Sequence, residues 1–139
     1  MYLLDTNVIS ECRKQGGCDD GVQRFVRHTT RHAIPRFLSV ITLGELRRGA
    51  LLLRHRNDPH QATLVDNWVE AVRCDYLERI LPVDLSICNV WARMRVPHQQ
   101  GAIDKLIAAT ALVHKLIVVT RNVKDFSGTG VEVYNPFAR

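Results

Sequence analysis

No stretch of this 139-residue chain holds the roughly 18 consecutive apolar residues of a membrane-spanning helix. Even Leu106 to Thr120 is interrupted by His114 and Lys115. The N-terminus lacks a basic lead, a long apolar centre and a cleavage site, because Tyr2-Leu3-Leu4 runs at once into Asp5, so export is not expected. Cys12, Cys18, Cys74 and Cys88 form no C-x-x-C unit, and a chain of this size builds a core without covalent staples; reduced thiols in a cytoplasmic setting are expected. Repeats, Ser/Gly/Pro-rich linkers and low-complexity segments are absent, which leaves residues 1–139 as a single domain. Aromatic residues make up only 6%, which does not support a stacking platform for single strands. Lysine is scarce too: most of the 19 basic residues are arginine, and against 14 acids they leave a net charge of +5. Arginine's planar fork suits phosphate, yet a merely solvated basic surface has the same composition, so charge alone does not choose between them.

What is present is an alternation. Short apolar runs at Tyr2 to Leu4, Phe37 to Ile41, Ile80 to Val83, Ile117 to Thr120 and Val131 to Tyr134 read as strands, with Pro82 pointing to an edge or a strand end for the third. Helical spacing of apolar residues appears over Asp20 to His32, from Thr42 onward, over Pro59 to Leu77, Leu85 to Met94 and Asp104 to Lys115. Strands alternating with helices predict an α/β fold, a three-layer α/β/α sandwich with a mainly parallel central sheet.

Ligands of open parallel sheets bind beyond the carboxyl ends of the strands. Asp5 follows the first strand, Glu45 is expected in the first turn of the helix after the second, and Asn122 and Asp125 follow the fourth. Asp104 opens the helix leading into that fourth strand, and it reaches the same edge only if the winding brings it there. Two carboxylates about 4 Å apart repel by roughly 1 kcal/mol in water and about 4 kcal/mol at an effective dielectric of 20, so four gathered acids need protons or a cation. Oxygen donors without paired His or Cys favour a hard ion, Mg²⁺ or Mn²⁺, over zinc, and such an ion activates water for phosphodiester hydrolysis. Each acid also has a local reading. Thr42-x-x-Glu45 has capping-box spacing, Asp104 suits an N-cap, Asp125 a turn cap beside Lys124, and Asp5 an Asx-turn. Taken jointly, those readings leave the gathering of acids at one sheet edge unexplained.

The segments carrying these acids are Leu3-Leu4-Asp5-Thr6-Asn7-Val8-Ile9-Ser10, Thr42-Leu43-Gly44-Glu45-Leu46, Asp104-Lys105-Leu106-Ile107-Ala108-Ala109-Thr110-Ala111 and Val119-Thr120-Arg121-Asn122-Val123-Lys124-Asp125-Phe126. In order and separation they resemble the four signature blocks of PIN-domain ribonucleases, specifically the VapC/FitB-type toxins of prokaryotic toxin–antitoxin systems. The resemblance runs from Tyr2 to Asn135-Pro136-Phe137. It implies a Mg²⁺-dependent endoribonuclease, with Mn²⁺ as a substitute, whose catalytic and metal-holding acids map to Asp5, Glu45, Asp104 and Asp125. Thr6, Asn7, Thr120 and Asn122 would support them. Many relatives have Asp where this chain has Asn122, which puts the number of metals in question and makes Asp125 the substitute acid. The resemblance further implies a homodimer and an antitoxin whose C-terminal segment covers the active-site groove, with DNA engaged only through the antitoxin.

Arg47, Arg48 and Arg121 lie beside the acids in sequence and are the candidates for holding RNA phosphates. His28 and His32 share a helix face with Arg24, Arg27 and Arg31, without an acid or third ligand to make a metal site. Trp68 and Trp91 fall in apolar stripes, as packing residues do. Two other function classes fit an α/β chain with an acid after its first strand. One is aspartyl-phosphate transfer, disfavoured because Asn7 stands where a second acid is needed; the other is a non-catalytic RNA- or protein-binding module.

Overall fold

The computed structural model describes residues 1–14, 16–97 and 99–138. Five strands, β1 (Tyr2–Leu4), β2 (Arg36–Ser39), β3 (Ile80–Leu81), β4 (Ile117–Val119) and β5 (Val133–Tyr134), form one sheet in the order β3-β2-β1-β4-β5. Every pairing is parallel; Leu3 lies opposite Phe37 on one side and Val118 on the other. The helices are α1 (Thr6–Cys12), α2 (Asp20–Arg31), α3 (Val40–His55), α4 (Pro59–Asp75), α5 (Leu85–Met94) and α6 (Ala102–His114). The expected three-layer α/β/α sandwich is therefore the fold, and β3, the strand followed by Pro82, is at an edge.

The layers arise from the period of two along a strand. Leu4 and Val119 face a core shared with Val8, Val22, Leu38, Leu43 and Val69, whereas their neighbours Leu3 and Val118 face a second core with Ile107, Ala108, Ala111 and Phe126. Both members of each pair are fully buried, so the central strands read as continuous apolar runs.

Several boundaries differ from the sequence expectation by a few residues, and each difference has a local cause. β2 stops at Ser39 rather than Ile41 because the Ser39 hydroxyl accepts from the Ile41 amide at 3.1 Å and starts α3 there. The Thr42–Glu45 capping box is accordingly absent: both residues lie inside α3, and the Thr42 hydroxyl is buried without a partner among the described residues. Asp104 is not an N-cap either. Gly101 takes that position in the left-handed region, φ 70°, and Asp104 falls in the first turn of α6, where the helix dipole favours its charge. At the other end, Lys115 turns left-handed and the chain re-enters the sheet as the Ile117 amide bonds the Met1 carbonyl at 3.2 Å. The C-terminus of α6 thus lies at the starting edge of the sheet, which returns Asp104 to the carboxyl edge.

Beyond β5, Asn135–Ala138 packs on the start of α2. The Asp19 carboxylate accepts from the Gly21, Val22 and Ala138 amides, and a Cβ on Gly21 would strike the Pro136 carbonyl oxygen. All four cysteines are unpaired, and desolvation pushes the Cys12 thiol up to about 11. No helix among the described residues is long and apolar enough to cross a membrane.

Candidate active site

Asp5 leaves β1 as the N-cap of α1 rather than in an isolated Asx-turn: its Oδ1 accepts from the Thr6 amide at 2.8 Å. Its Oδ2 accepts from the Thr120 hydroxyl at 2.8 Å and from the Asn7 amide group at 3.4 Å. Asn7 also donates to Thr120 at 3.2 Å and accepts from the Arg121 amide at 3.1 Å, so the ends of the two central strands are tied into one polar lattice. Thr120 completes it by accepting from the Asn122 amide at 3.0 Å. Asp5 is only 7% exposed and Thr120 fully buried, so this lattice fixes the carboxylate in one orientation.

Glu45 reaches the lattice from the second turn of α3, where its Oε1 accepts from the Thr6 hydroxyl at 3.2 Å. Asp125 sits in a 3-10 turn, Val123–Phe126, that follows Asn122. Burial raises the pKa of Asp5 first; its hydrogen bonds to Thr120 and Thr6 counteract this, and the charge of Asp125 adds to it. Burial likewise raises Asp104, followed by repulsion from Asp125, Asp5 and Glu45, with Lys105 opposing. The charges of Asp5, Glu45 and Asp125 thus all act on Asp104.

The four acids are near enough to repel but are not drawn into a closed cage. Among the described residues, no three His, Cys, Asp or Glu side chains already stand at metal-coordinating spacing. Their donor chemistry nevertheless fits a hard divalent ion, since every offered atom is a carboxylate or hydroxyl oxygen and the unbalanced negative charge is what such an ion neutralises. His28 and His32 are exposed at the C-terminal end of α2, their ring centroids 4.5 Å apart and their planes tilted by 55°.

Asp104 and Asp125 line a cleft of about 470 Å³ together with Lys105, Lys124 and Thr129. The two lysines are functional candidates that sequence reasoning passes over, although each adjoins an acid in the chain. Arg121 lines an adjoining cleft with Asn122, Lys124 and Asp125, its guanidinium 4.8 Å above the Phe137 ring. Arg47, by contrast, is paired with Glu70 of α4, which also holds Arg73. Arg48 is exposed on α3. On the far side of Glu45, a cleft of about 370 Å³ contains Thr6, Arg13, Leu46, Leu53, Val65 and Trp68. Trp68 packs on the core as its stripe predicts, and the Trp91 indole donates to the Ala102 carbonyl at 3.0 Å.

A parallel sheet with acids converging at its carboxyl edge defines a class. The PIN domain family model matches residues 2–131, and the chain belongs to that family. Within it the chain is of the VapC/FitB type. It is 34% identical over 143 residues to toxin FitB of Neisseria gonorrhoeae, covering 99% of each. With VapC ribonuclease Y4jK of Sinorhizobium fredii it shares 32% identity over 99% of this chain and 98% of that one. Of solved structures, FitAB bound to a DNA fragment is similar at a TM-score of 0.82 and 30% identity, covering 100% of this chain and 97% of that chain. FitAcB from Neisseria gonorrhoeae is similar at 0.81 and 32% identity, covering 98% of each.

Proposed function

We propose that this chain is a Mg²⁺-dependent endoribonuclease and the toxin of a toxin–antitoxin pair. One observation carries the reading: burial and the charges of Asp125, Asp5 and Glu45, brought in by three other elements, all raise the pKa of Asp104. A protein gains nothing in stability from such repulsion, so the arrangement fits a cation-binding role. The names of the relatives, a toxin and a ribonuclease, and of the complexes that resemble it support the rest.

A hard divalent ion, Mg²⁺ or Mn²⁺, would supply Lewis acidity and countercharge at the scissile phosphodiester when bound. Asp5, Glu45, Asp104 and Asp125 would hold it. Asp5 is the fixed member, its orientation set by Thr120, Asn7 and the Thr6 amide. Glu45 and Asp125 are exposed, which suits them to orient the attacking water and take its proton. Lys105, Lys124 and Arg121 border the acids and would position the phosphates flanking the cut. Asn122 contributes backbone bonds at the end of β4, and Asp125, one 3-10 turn later, supplies the fourth acid. The chain would act in the cytoplasm as a homodimer, with an antitoxin segment covering the groove at the acids.

Incubating purified, antitoxin-free protein with total RNA in Mg²⁺, Mn²⁺ or EDTA tests this, with Asp104→Asn in parallel. Cut products are expected with either metal and wild-type protein only. Cleavage that persists in EDTA, or in the variant, refutes the proposal.

A further inference from the structure

The exposed face of α2 carries Arg24, Arg27, His28 and Arg31, with His32 at its C-cap, and none of these takes part in the acidic site. Arg24 and His28 do not merely project into solvent. They line a cleft of about 360 Å³ whose other walls include Tyr2, Phe25, Tyr134 and Pro136. Three of the chain's few aromatic rings meet there: Tyr2 stands edge-on to Phe25 at 5.0 Å, and Phe25 lies 5.7 Å from Tyr134. Tyr134 is 46% exposed, which leaves part of its ring open to solvent.

The aromatic cleft and the cleft containing Arg121 are lined by consecutive residues of the C-terminal segment. Asp125 and Lys124 line both the acidic cleft and the one containing Arg121 and Asn135. Asn135 in turn lies between Tyr134 and Pro136, which wall the aromatic cleft. Basic side chains line each of these clefts: Lys105 and Lys124 the acidic one, Lys124 and Arg121 the next, and Arg24 with His28 the aromatic one. Basic groups beside an exposed ring, as at Arg24, His28 and Tyr134, are what single-stranded nucleic acid requires, cations tracking phosphates while a π-face accepts an unstacked base.

We propose that the Arg24–His28–Tyr134 cleft is a remote subsite for single-stranded RNA, binding one base on Tyr134 and its phosphates on Arg24 and His28. The strand then runs past Arg121 to the acids. This rests on the nuclease reading for the identity of the strand but concerns a separate surface, so long substrates profit from it and short ones do not.

The test compares wild type with Arg24→Gln/His28→Gln and with Tyr134→Leu, on a labelled 12-nucleotide RNA and on a trinucleotide. Binding is measured in EDTA as a function of salt, and cleavage in Mg²⁺. The double variant should bind the longer RNA about tenfold more weakly, and its log Kd against log salt should flatten by about 0.7 for each phosphate no longer neutralised. Tyr134→Leu should weaken binding about fivefold with the salt slope unchanged, as expected when a stacked base loses its platform. In both, KM for the longer RNA rises while kcat and trinucleotide cleavage stay as in wild type. Equal effects on both lengths, or none, overturn the subsite and leave the nuclease reading intact. A change confined to oligomeric state assigns the face to a second copy and also overturns it. If wild type cuts nothing, the nuclease reading fails, and loss of EDTA binding in the variants still supports the subsite.

Discussion

The Thr120 hydroxyl donates to Asp5 Oδ2 at 2.8 Å, joining residues 115 apart in the chain and fixing the end of β4 to the end of β1. The same oxygen accepts from the Asn122 amide and from Asn7, so its bonding capacity is fully used. Thr120→Val keeps the shape and removes all three bonds. It should cost about 1–3 kcal/mol in urea unfolding and lower cleavage, while Thr120→Ser retains most of both. Equal loss in the two variants would argue that the methyl packing, not the hydroxyl, matters.

Asp104→Asn should raise the stability of metal-free protein at neutral pH by on the order of 1 kcal/mol, an amount limited by its partial exposure, while abolishing cleavage. The sign comes from its raised pKa. Folded Asp104 holds its proton to higher pH than the unfolded group at 3.8, so ionisation weakens the fold as pH rises through that interval. The advantage of the variant should therefore shrink on acidification and vanish near 3.8, as thermal melts from about pH 3.5 to 7.5 in EDTA will show.

Mg²⁺ or Mn²⁺ should raise the melting temperature of wild type, by about 2.7 kcal/mol of stability at roughly one hundred times the dissociation constant. Asp104→Asn and Asp5→Asn should lose that response. A shift of equal size in all three proteins places the ion elsewhere.

Asp125→Asn should remove cleavage, whereas Asn122→Ala should leave it within about threefold, because Asn122 serves the site through its backbone. Kinetic assays in which Asn122→Ala is as inactive as Asp125→Asn would reverse that assignment.

Gly21→Ala should destabilise the protein by about 1–3 kcal/mol and loosen the C-terminal segment, since the added methyl meets the Pro136 carbonyl and the Ala138 amide. Hydrogen exchange at Ala138, whose amide bonds Asp19, is the local readout.

Much of the architecture is legible in the sequence because it is local. Leu3 and Leu4 name a buried strand by composition, the α6 stripe declares itself apolar, and Asp5, directly after β1, marks the ligand edge whatever the remaining sequence. Capping is less legible: Ser39 and Thr42 are both plausible helix starters, and only the length of β2 decides for Ser39. The partners of long charged side chains cannot be read at all. Arg47 adjoins Glu45 in the helix yet pairs with Glu70 of α4, and Lys105 and Lys124, unremarkable in sequence, wall one cleft.

The layers, then, follow from periodicity along the chain, and so does the placing of Asp5 at the carboxyl edge, directly after β1. Only tertiary structure decided which charges share a cleft, that Asp104 returns to the carboxyl edge, and that Tyr2, Phe25 and Tyr134 meet despite a composition poor in rings. The physical reason is range. Backbone preference acts over a few neighbouring residues, whereas charges and rings interact through space between segments whose separation only the folded chain sets.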